Sequence, residues 1–75
     1  MRLHLRDEND HTFGILSIDH TGSYEQPIMR TLVKHLTGLW LEPENGKADV
    51  RIDSIAVFDS DLEFVGVYDK DGERE

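Results

Sequence analysis

The sequence predicts a small α+β domain: an antiparallel β-sheet with one helix packed on one face, in the order ββαββ. Three observations lead there. Four short segments alternate apolar and polar residues or are rich in β-branched residues, as half-buried strands are. One stretch in the middle repeats its apolar residues at helical spacing. Polar, Asp- and Gly-rich turns separate the segments.

Arg2-Leu3-His4-Leu5-Arg6 alternates with period two and reads as the first strand. Asp7-Glu8-Asn9-Asp10 is a polar turn, and Thr12 to Ile18 is apolar and β-branched, so the two segments form a hairpin. Ser23 with Gln26 three residues later matches a capping box, and Pro27 suits a first helical turn, where its missing N–H costs little. Ile28, Met29, Leu32, Val33, Leu36 and Leu39–Trp40 then form one stripe, with Gly38 as the C-terminal cap. The predicted helix runs from about residue 25 to about residue 37. Leu41 to Lys47 is a turn-rich connector. Asp49 to Asp59 reads as the third strand, with a phase shift near Ser54, and Leu62 to Asp69 as the fourth. Residues 70–75 read as a frayed, charged tail on a single domain spanning 1–75, and no internal repeat is read.

One helix covers only one face, yet three strands are apolar on both. Phe13 and Ile15 oppose Leu16 and Ile18; Ile55 and Val57 oppose Ala56 and Phe58; Leu62, Phe64 and Tyr68 oppose Val65 and Val67. A second copy of the chain is the simplest cover. The expectation is therefore a homodimer, with Leu16, Ile18, Val65, Val67 and Trp40 at its interface.

The chain has 75 residues and no cysteine, which excludes disulfides and thiolate metal sites. No apolar run approaches the ~20 residues of a membrane span, and no signal-peptide pattern opens the chain, so a cytoplasmic protein is expected. The four histidines lack metal-ligand spacing, no serine sits in a nucleophile elbow, and no glycine motif cradles phosphate. Asp69-Lys70-Asp71-Gly72-Glu73 begins like a calcium loop, but its glycine comes too early for that pattern. The reading is a non-catalytic protein with no metal and no cofactor.

Charge is the informative quantity. The net charge is −8. Residues 1–41 carry Asp7, Glu8, Asp10, Asp19 and Glu25 against Arg2, Arg6, Arg30 and Lys34. Residues 42–75 carry eleven acids against Lys47, Arg51, Lys70 and Arg74, so nearly all the excess lies there. Such a surface repels nucleic acid and anionic membrane and attracts basic proteins. Asp49, Asp53, Asp59, Asp61, Glu63, Asp69, Asp71 and Glu73 are the candidate partner-binding residues. Set on strands at the ~6.6–6.8 Å same-face spacing, they would stand in rows with roughly the interval of phosphates. Acids at strand ends also deter edge-to-edge aggregation, which accounts for the same residues without a partner.

On Asp59-Ser60-Asp61-Leu62-Glu63 and Asp69-Lys70-Asp71-Gly72-Glu73, the acidic half resembles the small DNA-mimic and host-takeover proteins of bacteriophages. The resemblance implies an inhibitor that occupies the DNA-binding surface of a basic host protein, such as the histone-like nucleoid protein HU. A second reading is an antitoxin or immunity-type binder that neutralises one enzyme, with Trp40 and Tyr68 as anchors. A third is a structural or regulatory module whose acidity serves solubility.

Overall fold

The structure, a computed structural model, describes residues 1–18, 26–43, 46 and 48–75. Its elements are β1 (Arg2–Arg6), β2 (Thr12–Ser17), α1 (Gln26–Leu36), β3 (Trp40–Leu41), β4 (Val50–Arg51), β5 (Ser54–Phe58) and β6 (Phe64–Tyr68). Four strands make one antiparallel sheet in the order β2-β1-β5-β6, and β3 and β4 form a separate antiparallel ribbon. The α+β class matches the expectation, and the one helix among the described residues lies within the predicted range. The proposed capping Ser23 lies outside the described residues.

The strand sequence is more divided than ββαββ. The expected third strand, 49–59, breaks at Ile52 and Asp53. Ile52 donates its N–H to the Leu39 carbonyl at 2.9 Å, which keeps it with the ribbon. Asp53 donates to the Arg6 carbonyl at 2.8 Å, which starts the main sheet. The chain thus changes partners within two residues, where the apolar alternation changes phase.

The core is one cluster of Leu3, Leu5, Val33, Ile52, Ile55, Val57 and Tyr68, all buried. Leu3 pairs with Val57 and Leu5 with Ile55, and Tyr68 lies opposite Ile55, so these side chains share one face of the sheet. Val33 of α1 is fully buried among them, with Leu32 and Leu36 packed against the cluster. Gly38, at φ 91°, ends the helix as a left-handed cap, and its N–H meets the Ile52 carbonyl. The other face carries Ile15, His4, Ala56 and Val67 in register across the four strands, with Phe58 opposite Phe64. The His4 and Phe58 rings lie 4.4 Å apart, and Phe58 and Phe64 5.6 Å apart.

The sheet contains a repeat that the sequence reading missed. Residues 2–17 and 54–69 follow the same path with an offset of 52. Each hairpin turns on an aspartate, Asp7 or Asp59. Each has a left-handed residue three positions later, Asp10 or Leu62, both at φ 63°. Each then has an unpaired bulge residue, Phe13 or Val65, followed by a glycine, Gly14 or Gly66. The β1–β5 register obeys the same operation: Arg2 opposite Phe58 is carried onto Ser54 opposite Arg6, about a centre at His4 and Ala56. The two hairpins are related by a pseudo-two-fold axis through the sheet.

Residues 70–75, expected to fray, are tied back. Asp69 and Glu73 close a turn, Arg74 bridges to Tyr68, and Glu75 donates to the Val67 carbonyl at 2.7 Å. The Arg30 guanidinium pairs with the Glu73 carboxylate, joining the tail to the helix.

Candidate functional site

The acidic residues are first of all turn-formers. Three turns share one hydrogen-bond scheme. Asp7 Oδ1 accepts from the backbone N–H of Asn9 and His11, at 2.9 and 3.0 Å. Asp59 Oδ1 accepts from Asp61 and Glu63, both at 2.9 Å. Asp69 Oδ1 accepts from Asp71 and Glu73, at 2.9 and 3.0 Å. Each carboxylate satisfies two amides that a tight turn leaves over, which is why an aspartate opens it. The amides of His11 and Asn9 hold the Asp7 carboxyl below the usual carboxylate range. The His11 bond is the largest cause, partial burial works against it, and the charge of the His11 ring assists.

This placement corrects the picture of carboxylates in rows along strands. Asp59, Asp61 and Glu63 lie on the β5–β6 turn. Asp69, Asp71 and Glu73 lie after β6, and β6 runs antiparallel to β5, so they sit at the opposite end of the sheet. Five residues of strand separate the two groups by roughly 17 Å. Asp49 and Asp53 flank β4 rather than sharing a long strand. Asp53 pairs with Arg51 at 3.2 Å, and Glu73 with Arg30. Of the eight expected partner-binding acids, Asp49, Asp61, Glu63 and Asp71 have carboxylates with no ion pair or hydrogen bond among the described residues.

The expected dimer-interface residues also divide. Leu16 lies opposite Leu3 on the core face, Ile18 and Val65 pack against the core, and Val67 is on the other face. Bulges at Phe13 and Val65 shift the alternation, so residues that the sequence sets on opposite faces share one. Trp40 stands on the ribbon, 64% exposed. Tyr68, expected as a contact anchor, is buried.

Trp40 belongs to a concave site that sequence reading did not assemble. Asp7, Glu8, Asn9, Trp40, Asp49, Val50 and Arg51 line an open cleft of ≈ 440 Å³. The β1–β2 turn supplies one wall and the β3–β4 ribbon the other; Trp40 lies opposite Arg51 in the ribbon register. An indole face beside carboxylates is a setting for a guanidinium or ammonium group, through cation–π attraction and charge-assisted hydrogen bonds. The sequence shows only a tryptophan flanked by Leu39 and Leu41 at the start of a turn-rich connector, and it is the ribbon that brings Trp40 to the Asp7 turn.

Among the described residues, no group of three or more His, Asp or Glu is placed to hold a metal ion, and no helix is long and apolar enough to cross a membrane. His4 stacks near Phe58, His11 lies in the first turn, His35 is exposed on the helix, and His20 lies outside the described residues. No family model matches the chain, and neither a curated protein nor a solved structure resembles it significantly.

Proposed function

We propose that this chain is a non-catalytic binding protein that receives cationic side chains of a basic partner protein. The observation that carries the reading is the cleft lined by exposed Trp40 together with Asp7, Glu8 and Asp49, three acids against the one base, Arg51. The net charge of −8 supports it, since such a surface speeds encounter with a basic partner and disfavours nucleic acid and anionic membrane. A nucleic-acid-binding protein of the host, such as HU, is the partner class to test. Occupying its DNA-binding surface would make the chain an inhibitor. That narrower role rests on net charge and on the cleft; phosphate-like rows do not support it, because the acids sit on turns at two ends.

The test is affinity capture from lysate at low and high salt, with the parent chain beside Trp40→Ala and Asp49→Lys variants. The proposal expects a basic protein retained at low salt, released by salt and lost with both variants. Capture unaffected by either variant rejects the cleft. Capture that withstands salt but needs Trp40 favours the antitoxin or immunity-type reading, in which an aromatic anchor carries the affinity.

A further inference from the structure

We infer that two copies of this chain join through β2, edge to edge and antiparallel, into one eight-stranded sheet about a two-fold axis.

The two outer edges of the sheet are treated differently, although the pseudo-symmetry makes them equivalent. The β6 edge is closed by the tail, through the Tyr68–Arg74 bridge and the Glu75 N–H bond to Val67. The β2 edge pairs with no strand among the described residues. Its unpaired groups can be assigned. Met1 and Ile18 exchange both backbone hydrogen bonds, at 2.8 and 3.0 Å. In an antiparallel ladder the next residues inward alternate, so Ile18 and Leu16 turn their N–H and C=O toward β1, and Ser17 and Ile15 turn theirs outward. A row of outward donors and acceptors is complemented by another strand.

Two features select a second copy as that strand. First, Thr12 to Ile18 contains no charged residue in a chain of net charge −8, and of the usual edge guards only the bulge at Phe13, near its start, interrupts it, which leaves Ile15 to Ser17 unguarded. Ile15 and Leu16 are 53% and 38% exposed, on opposite faces. A two-fold axis through either Ile15 or Leu16 sets that residue against its own mate and brings no charged residue of Thr12 to Ile18 to the seam. Second, antiparallel pairing offers a favourable charge contact between the copies. Antiparallel pairing brings the acidic β1–β2 turn of one copy to the end of β2 where Arg2 of the other lies, opposite Ser17. Arg2 and Glu8 each lack an ion pair among the described residues. The acid-rich tails fall at the two outer edges, about seven strand spacings or roughly 34 Å apart, well past the ~8–10 Å screening length.

This differs from a dimer built face to face on the sheet, and one set of measurements separates them. Analytical ultracentrifugation of the full chain should give twice the 8.6 kDa monomer mass. Ile15→Lys should return it to monomer at a concentration where the parent is dimeric, whereas Phe64→Asp, on the opposite edge strand, should leave it a dimer. In a chain without cysteine, Ile15→Cys and Leu16→Cys introduce the only thiol, and mild oxidation should yield a covalent dimer of at least one of them. These thiol variants carry the test should Ile15→Lys fail to fold. A parent that stays monomeric overturns the inference. So does a dimer abolished by Phe64→Asp but not by Ile15→Lys, or the absence of oxidative cross-linking in both thiol variants.

Discussion

Leu62 and Gly72 hold the same position in two consecutive turns, each three residues after the aspartate that opens the turn, and both adopt a left-handed backbone, at φ 63° and 71°. For glycine this conformation is free of Cβ strain; for leucine it costs ~1–2 kcal/mol. Leu62 is 55% exposed, so little packing is lost on its removal. Leu62→Gly should therefore stabilise the chain by about 0.5–1 kcal/mol, after the extra chain entropy of glycine is subtracted. A rise of a few degrees in the thermal midpoint checks it. An unchanged or lowered midpoint would mean that the Leu62 side chain holds the turn by contact.

Gly72→Ala should act in the opposite direction. A Cβ there would lie 2.9 Å from the Arg30 carbonyl oxygen and 3.1 Å from its Cα, where backbone must give way. The left-handed strain adds to the clash, for a loss of about 1–3 kcal/mol. The tail should detach from the helix with it, which amide exchange at Glu73 and Glu75 would report.

Much of this fold was legible in the sequence. The helix, the first hairpin and the final strand followed from period and turn chemistry. The break at Ile52–Asp53 was visible only as a change of phase, because its cause, the exchange of Leu39 for Arg6 as backbone partner, is a tertiary event. The repeat was hidden because Asp7/Asp59 and Gly14/Gly66 are the only identical residues at that offset between 2 and 17. The carboxylate positions were misjudged for a related reason. Asp59 and Asp69 read as charge, whereas their first use is to satisfy turn amides.

The repeated glycines provide a matched pair. A Cβ on Gly14 would sit 3.6 Å from the nearest Leu5 carbon, an ordinary contact. A Cβ on Gly66 would meet Arg74 side-chain atoms at 2.7–3.2 Å. Gly14→Ala should be neutral or slightly stabilising in urea unfolding, since an alanine has less freedom to lose. Gly66→Ala should displace Arg74 and raise amide exchange at Glu75 while leaving the core cluster intact. Equal effects of the two substitutions would contradict the observed asymmetry between the hairpins.

The turn aspartates separate fold from charge. Asp59→Asn keeps an Oδ1 acceptor for the amides of Asp61 and Glu63, while Asp59→Ala leaves both without a side-chain partner. The alanine variant should lose about 1–2 kcal/mol in denaturant unfolding and the asparagine variant much less. Asp61→Lys and Glu63→Lys, which alter only exposed side chains, should leave stability within about 0.5 kcal/mol.

Asp7 should contribute a pH-dependent share of stability. Its carboxyl is held below the usual range in the folded chain, so the folded state favours the ionised form. The contribution is complete above the unfolded value, near pH 4, and disappears as pH falls from there through the lower folded value. Comparison with Asp7→Asn isolates it. The urea midpoint of the parent should exceed that of the variant at pH 6, and the difference should shrink below about pH 4. A difference that is constant with pH would assign the effect to geometry alone.

The cleft itself gives the most direct test of function. Trp40 is exposed, and it lines the same cleft as Glu8 and Asp49. Free arginine or an arginine-rich peptide should quench or shift Trp40 emission, since it is the only tryptophan in the chain. Binding of the peptide should weaken as salt rises from about 50 to 200 mM, because exposed charges are increasingly screened over that range. Glu8→Gln with Asp49→Asn should lower the affinity several-fold without altering unfolding, as neither side chain has an ion pair to lose among the described residues. Emission that responds equally to a neutral peptide of the same length would show that the indole binds without the carboxylates, and the cationic assignment of the cleft would fall.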